Sequence, residues 1–455
     1  MKKSIRFYPA LWSAKLLGFG LKLAHRKGSH NPGALAMKIC PDFLKQIEKP
    51  EVILGVTGTN GKTTVCNMVN DILEDNGYHP ASNRAGSNIL GGVVTTLVHA
   101  VDWKGRCTKD LAVLELDERS SRLIYPYVKP KYILVTNLFR DSFKRNAHSG
   151  FIFDILHEHL PEESTLILNA DDPVSFRLRP AGKAVYFGVD PQPEEPMNEP
   201  NIIQDMPNCP ECGAPLVYEF RRYHHVGRVH CPRCSFASPK ADYLYEGDDG
   251  QTARISSPSG TLHLKKVGPA LTDLYNMAGV AALLSAFGLT KDELEASFRK
   301  VKVLGSRYRE ETIGGKTVVS AVAKGQNSVA CSRVFDTIRQ QPGRKAVILM
   351  LDDLGDSKET SENMAWLYDT DFEFLNDPSV TQIVAVGKRR EDYRVRLLLA
   401  GIPAEKIGTA ETEAEGVNLL RTESYDRVYL LYDVYTVFHG EAAKKALSAR
   451  LKEVR

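Results

Sequence analysis

The stretch Gly55-Val56-Thr57-Gly58-Thr59-Asn60-Gly61-Lys62-Thr63-Thr64 decides how the rest of the chain is read. An apolar run, Val52-Ile53-Leu54, leads into it. After it, Val65, Met68, Val69, Ile72 and Leu73 recur at helical spacing, and Gly77 stops the pattern. Strand, glycine-rich turn and helix are the setting of a phosphate-binding loop. Its glycines let backbone N–H groups close around phosphate oxygens, and the helix N-terminus brings about half a positive charge to the same spot. Gly58, Thr59, Asn60, Gly61, Lys62, Thr63 and Thr64 are therefore the candidate nucleotide-binding residues. Lys62 is placed to reach the terminal phosphates and the Thr63 hydroxyl to face Mg²⁺. The general pattern puts its first glycine at position 56, where this chain has Val56, with Gly55 one residue earlier.

Composition narrows the class. A chain of 455 residues is long enough for several domains with sizeable cores. With 43% apolar and 25% charged residues it reads as a soluble globular protein. A net charge of +3 gives no general signal for nucleic acid. Met1-Lys2-Lys3 is basic, but Arg6, Lys15 and Lys22 interrupt the apolar residues that follow, so no cleavable signal and no membrane span are expected. Cys40, Cys66, Cys107 and Cys331 are scattered and the other four cysteines are paired, which is not a secreted disulfide framework; a cytoplasmic protein is expected.

From Glu51 onward, apolar runs alternate with helical patterns. Strands are expected at Val52–Val56, Leu111–Glu115, Tyr132–Thr136, Thr165–Leu168 and Ala184–Phe187, and again at Thr317–Ala323, Ala346–Leu351, Gln382–Val386 and Val428–Tyr432. Such alternation predicts parallel sheets covered on both faces, with ligands at the carboxyl ends of the strands. The expected organisation is a lead segment over 1–50, a central ATP-binding domain over 51–304 and a smaller Rossmann-like α/β domain over 305–455. Residues 190–208 read as a linker, with an insertion near 205–240. Residues 4–27 combine Phe7, Leu11, Trp12, Leu16, Leu17, Phe19, Leu21 and Leu23 with Lys15, Lys22, Arg26 and Lys27. They read as a helix packed on the next domain or as a basic amphipathic helix in peripheral contact with a membrane.

Several clusters carry chemistry. Glu115, ending a buried strand beside the loop, is placed to hold Mg²⁺; Asp117 and Glu118 read either as further ligands or as solvated charges. Ser82-Asn83-Arg84-Ala85-Gly86-Ser87-Asn88 is a polar glycine loop, and Asn83, Arg84 and Asn88 are candidate substrate contacts, with Arg84 facing a phosphate or carboxylate. Thr136-Asn137 and Asn169-Ala170-Asp171-Asp172 read as caps or as site residues. Asn276 reads as a plain N-cap of a helix over Met277–Phe287 or as a base-binding amide. Cys209, Cys212, Cys231 and Cys234 form C-x₂-C-x₁₈-C-x₂-C, the spacing of a four-thiolate zinc site. Four thiolates leave no open position, so the role expected is structural; His224, His225 and His230 lie between the pairs as alternative ligands.

With these pieces together the chain resembles the Mur ligase family. GTNGKTT, NRAGSN, LELDE, TNLFRD and LNADD stand in the family's order, and the four-cysteine insertion with the opening GSHNPGALAMKICPDFL is similar to the MurT-type branch. The resemblance covers essentially the whole chain. It implies a Mur-ligase-like P-loop domain with a parallel sheet and a zinc-ribbon insertion, using ATP, Mg²⁺ and Zn²⁺. It also implies a GatD-type glutamine amidotransferase as partner in a heterodimer, and amidation of the D-glutamate α-carboxylate of lipid II through an acyl phosphate. Catalytic roles fall to Lys62 and Glu115, with Mg²⁺ on Thr63 and Glu115; Asn276 matches the adenine-contacting asparagine and Arg307 the arginine of the interdomain hinge. An aspartate of the C-terminal domain assists the partner's glutaminase, and Asp369 is its candidate.

The match departs from the family in places. The hinge reads Ser306-Arg307 instead of Gly-Arg, and Gly279 replaces a second asparagine. Ala323-Lys324-Gly325-Gln326-Asn327-Ser328 and Leu351-Asp352-Asp353-Leu354 depart from the family's loops. The same residues therefore also suit a stand-alone Mur-type ligase acting on another carboxylate, or a nucleotide-binding scaffold without turnover. Intact Lys62, Thr63 and Glu115 speak against the scaffold.

Overall fold

The structure is a computed structural model. It describes residues 3–26, 28–84, 86–140, 148–179, 184–192, 201–268, 270–301, 308–323, 327–351, 364–433 and 436–453. Ala85, Ser306-Arg307, Lys324-Gly325-Gln326 and Asp352-Asp353-Leu354, singled out above, lie outside the described residues, as do residues 193–200 of the expected linker. The chain divides into two compact units: one runs up to Val301, and the other takes the chain from Tyr308 onward together with Arg140 and residues 201–204.

The first unit opens with three helices, α1 (Phe7–Leu23), α2 (Asn31–Ile39) and α3 (Phe43–Gln46). There follow β1 (Val52–Thr57), α4 (Lys62–Asp75), β2 (Ala81–Ser82), α5 (Leu90–Ala100), β3 (Leu111–Glu115), α6 (Ser121–Ile124), β4 (Tyr132–Val135), α7 (Ser149–His159), β5 (Thr165–Asn169) and β6 (Val185–Val189). A separate antiparallel hairpin, β7 (Val217–Tyr223) and β8 (Val226–His230), carries the cysteine pairs at its base. The chain then returns to the sheet as β9 (Tyr243–Asp248), β10 (Thr252–Ser256) and β11 (Leu262–Lys265), and closes with α8 (Leu271–Phe287) and α9 (Lys291–Phe298). Among the described residues the sheet runs β11-β10-β9-β6-β5-β4-β1-β3-β2, parallel from β2 to β9 and antiparallel at its β10–β11 edge.

The periodicity of α4 is realised: Val65, Met68, Val69, Ile72 and Leu73 are all buried. Strands β1 and β3–β5 are almost wholly buried, as expected of parallel strands covered on both faces. Helix α8 crosses close over β4 and β6, where a Cβ at Gly279 would come within 3.1 Å of Leu134 and 3.3 Å of Phe187. A side chain at 279 would have to push Leu134 and Phe187 aside by a few tenths of an ångström.

The second unit holds β12 (Tyr308–Ile313), β13 (Lys316–Val322), α10 (Ser328–Gln340), β14 (Lys345–Met350), β15 (Val380–Val386), α11 (Arg390–Leu399), β16 (Ile407–Ala410), α12 (Glu413–Asn418), β17 (Arg427–Tyr432) and α13 (Val437–Glu453). Its sheet runs β12-β13-β17-β14-β15-β16, with only β12 antiparallel. Successive residues serve opposite faces: Val319, Val347 and Tyr429 pack in one core, Val318, Ile348 and Leu430 in the other. Asn327, in a segment that departs from the family, caps α10 by accepting the Ala330 N–H at 2.8 Å.

Candidate active site

Strand register builds the site. In the parallel sheet Val56 of β1 pairs with Glu115 of β3 on one side and Leu134 of β4 on the other. The phosphate-loop residues therefore emerge between the acidic end of β3 and residues 136–139 after β4. Val56 lies within β1 and is fully buried, and the chain turns only at Gly58, with φ +119°. A glycine at 56 is not needed, which accounts for that departure from the general pattern. Gly58 is: its φ suits glycine, and a Cβ there would collide with the Thr136 hydroxyl. Gly61, at φ +89°, forms the N-cap of α4 and leaves Lys62, Thr63 and Thr64 as its first turn.

Residues 136–139 brace this loop. Asn137 accepts the Asn60 N–H at 3.0 Å and donates to the Asn60 carbonyl at 3.1 Å, while its own carbonyl takes the Thr59 N–H at 2.8 Å. The Thr136 hydroxyl donates to Asn60 O at 2.7 Å. The Thr59 hydroxyl accepts the Phe139 N–H at 2.9 Å and donates to the Phe139 carbonyl at 3.2 Å. Thr59 and Asn60 thus hold the loop's shape, leaving Thr63 and Thr64 exposed at the helix start.

Beside the loop lies an acidic cluster. Glu115, Asp117 and Glu118 are all buried, so the solvated-charge reading of the last two is corrected: they face inward. Lys62 Nζ sits 3.2 and 3.3 Å from the two Glu118 oxygens and also donates to the Gly58 carbonyl. Burial alone would lower the Lys62 pKa, but Glu118, Glu115 and Asp117 outweigh it and hold the amine above its usual range. Three buried carboxylates gathered beside a phosphate-binding loop are a donor set that suits a divalent cation. Asn88 donates to one Glu115 oxygen at 2.9 Å; the other accepts no hydrogen bond from a described residue. That hard, open carboxylate oxygen fits Mg²⁺.

The 82–88 loop divides its labour. Asn83 is committed to scaffolding: its amide brackets Glu115, accepting the N–H and donating to the carbonyl, each at 2.8 Å. Arg84 pairs with Asp71 at 2.7 Å and Glu74 at 3.5 Å. Asn88 is the member of this trio that touches the acidic cluster. Asn276 is not an N-cap, because α8 begins at Leu271; it lies in the second turn. A Cβ on Gly61 would come within 2.8 Å of its Oδ1, so its amide stands against the phosphate loop. In the second unit Asp369 pairs with Arg140 at 3.0 Å, while Asp371 accepts from Asn201 and Ile202 at 2.9 and 2.6 Å.

The four cysteine sulfurs lie within 4.8 Å of one another and form the one such cluster among the described residues. Cys209–Cys234 and Cys212–Cys231 are each 3.5 Å apart, near the roughly 3.8 Å edge of a tetrahedron with metal–sulfur bonds of about 2.3 Å. This cluster suits a metal ion. The histidines between the pairs do not join it. Tyr223, His224 and His225 form the far tip of the β7–β8 hairpin, and their rings pack on Phe139 at centroid distances of 5.7, 5.9 and 4.6 Å. Nearby, buried Arg222 donates to the Val189 carbonyl at 2.7 Å and to the Tyr275 hydroxyl at 2.5 Å, and lies 3.5 Å from Asp171. Burial raises the Asp171 pKa against the pull of Arg222. Nothing local in the sequence marks Arg222 as a support of the site, and His225 stands out there only as an alternative metal ligand between the cysteine pairs.

His225 lies fully buried, its Nε2 3.1 Å from Asp172 and its Nδ1 3.8 Å from Asp205. Burial opposes the charge, but the two carboxylates prevail and raise the pKa from 6.5 to about 9. A raised histidine pKa stabilises the fold fully below the unfolded value of about 6.5, and the contribution disappears as pH rises through the folded value. Wild type should therefore lose up to roughly 3 kcal/mol as pH climbs toward 9, and His225→Gln should lack that slope. Thermal melting of both proteins across that range checks it; parallel slopes would count against the assignment.

Comparison with known proteins agrees with this geometry. The Mur ligase middle domain matches residues 56–202, and the MurT ligase C-terminal domain matches residues 325–438. The Streptococcus pneumoniae protein named lipid II isoglutaminyl synthase (glutamine-hydrolyzing) subunit MurT is 27% identical over 416 residues, spanning 89% of this chain and 90% of that one. A solved pseudomurein peptide ligase type C from Methanothermus fervidus superposes with TM-score 0.66 at 18% identity, over 89% of this chain and 80% of that one. MurF ligase from Thermotoga maritima in complex with ADP does so with TM-score 0.56 at 16% identity, over 93% and 85%. A phosphate loop bedded between β3 and β4 with a buried carboxylate cluster beside it is a nucleotide site, and with the two domain matches this chain belongs to the Mur ligase family. Its C-terminal domain and its full-length relatives place it, within the family, in the MurT type.

Proposed function

We propose that this chain is the ATP-dependent ligase subunit of a lipid II isoglutaminyl synthase. The observation that carries the reading is Lys62, a half-buried cation on a GTNGKTT loop facing the buried Glu118, in a chain related along its length to the MurT subunit. The loop from Gly58 to Thr64 holds the ATP phosphates, and the Asn276 amide lies beside them for the base. When bound at Thr63 and Glu115, Mg²⁺ screens the triphosphate from an incoming carboxylate. The chain's own residues bind and orient: Lys62 steadies the transferring phosphoryl group, Asn88 fixes Glu115, and Asn83 fixes the strand end. The acceptor is the D-glutamate α-carboxylate of lipid II, which attacks the γ-phosphate to give an acyl phosphate and ADP. Ammonia then displaces inorganic phosphate and forms the amide. A GatD-type glutaminase supplies that ammonia, and Asp369 in the second unit is the candidate to assist it. Zn²⁺ on Cys209, Cys212, Cys231 and Cys234 is structural.

The test is to purify the chain together with its glutaminase and measure ATP hydrolysis and the mass of lipid II with glutamine, ammonia or neither. Hydrolysis and a one-amide mass change that depend on glutamine or ammonia are expected. Turnover that ignores both nitrogen sources but responds to an added amino acid would sink the proposal in favour of a stand-alone ligase.

A further inference from the structure

Helix α1 buries Phe7, Ala10, Leu11 and Ala14 against the first unit, yet its outward face is also apolar. Trp12, Leu16, Phe19 and Leu23 follow one another at i, i+4, i+7 and i+11, so they line one side of the helix, and Ile5 extends the row by two turns. Leu16 and Phe19 are each 62% exposed, Leu23 68% and Ile5 93%. Trp103 broadens the row, since the Trp12 indole N–H donates to its carbonyl at 3.0 Å and its own ring is 55% exposed. A contiguous apolar row of this size on the surface marks a place where something docks.

The surrounding charge says what. Between Lys3 and Pro41 there is no Asp or Glu. Arg6, Lys22 and Arg26 are exposed and, among the described residues, make no ion pair. An apolar row with unpaired cations along it complements an anionic lipid surface, where acyl chains take the row and headgroups take the cations. No described helix is long and apolar enough to cross a membrane, so contact is at the interface.

The row is also tied to the candidate acceptor loop. The segment after α1 reaches that loop directly: a Cβ on Gly86 would lie 2.5 Å from Ser29, and one on Gly91 2.5 Å from His30 Nδ1. Gly86 is in the loop whose Asn88 holds Glu115. We infer that α1 docks on an anionic bilayer through Trp12, Leu16, Phe19 and Leu23, bringing the 82–88 loop, and the Glu115 carboxylate that its Asn88 holds, toward a membrane-borne substrate. The choice of a membrane-borne acceptor rests on the function proposed above; the docking surface stands on exposure and charge.

The experiment is co-sedimentation of the full chain, alone and with its glutaminase, on vesicles of phosphatidylcholine with and without phosphatidylglycerol. The wild type and a Leu16→Glu/Phe19→Glu variant are compared. Both side chains are exposed, so the variant should keep its fold, its thermal midpoint and its amidation of a water-soluble, short-chain acceptor. Wild type should partition to anionic vesicles and release at high salt, and the variant should bind them at least about tenfold more weakly. Three outcomes overturn the inference: no partitioning by wild type, equal partitioning by the variant, or partitioning by the free chain that disappears in the complex. The last would show a protein covering the row. Lack of amidation of the soluble acceptor by wild type would instead count against the proposed function and leave the vesicle result untouched.

Discussion

Lys62→Met should lower ATP turnover at least about a thousandfold while leaving the protein folded. The substitution keeps the length and apolar stem of the side chain and removes only its charge. That charge sits among Glu118, Glu115 and Asp117, which raise the amine's pKa despite the desolvation. Two losses therefore coincide. The phosphates lose their point donor, and three buried carboxylates are left facing a polyanionic substrate without the lysine between them. Lys62→Arg separates the two: it restores positive charge to the cluster, and with it thermal stability, but presents a planar fork where the loop has room for a compact ammonium, so turnover should stay low. Steady-state ATP hydrolysis, near-UV circular dichroism and melting of both variants decide the matter. Turnover in Lys62→Met within about tenfold of wild type would mean that this lysine does not meet the phosphates.

What the sequence discloses and what it conceals follow one physical line. Parallel strands buried on both faces give unbroken apolar runs, so β1, β3, β4 and β5 are legible within a residue or two. The loop between β1 and α4 is legible because glycine spacing and helical period coincide there. The β9–β11 edge has one face exposed and alternates Ala253, Arg254, Ile255 and Leu262, His263, Leu264, a weaker pattern that marks the return to the domain but not three strands. Partners distant in sequence are harder still. Asp117 and Glu118 after a strand could be surface charges or ligands, and a partner such as Lys62, 56 residues before Glu118, becomes visible only in the fold. His224 and His225 lie between two cysteine pairs, so a shared metal is a natural reading of the sequence. The hairpin carries them to its opposite end, where they meet Phe139. Asn83 and Arg84 have residue types suited to substrate, but their hydrogen-bonding capacity is used on Glu115 and Asp71.

That hairpin underlies the second large effect. Removing the zinc proposed at Cys209, Cys212, Cys231 and Cys234 should raise the KM for ATP at least about tenfold. The cysteines close the base of β7–β8, and the tip of the same hairpin touches the site along two routes. Tyr223, His224 and His225 pack on Phe139, whose backbone N–H and carbonyl both bind the Thr59 hydroxyl. Arg222 holds the hydroxyl of Tyr275, and the next residue on α8, Asn276, stands against Gly61. A structural zinc site of this kind contributes about 10 kcal/mol or more of apparent binding energy, ample to keep a two-stranded hairpin folded that would be marginal alone. Without it, Arg222 loses its fixed position and leaves Asp171 buried without its strongest counter-charge. The purified chain should hold about one zinc. Treatment with a chelator and a thiol reagent, or Cys231→Ser, should release it and weaken ATP binding in parallel, with both followed by metal analysis and nucleotide titration. Lys62→Met should keep its zinc, which separates loss of the loop's support from loss of its chemistry. If zinc leaves and ATP binds as before, the ribbon is only a surface ornament on this fold, and the contacts of Phe139 and Arg222 with the hairpin do not shape the phosphate loop.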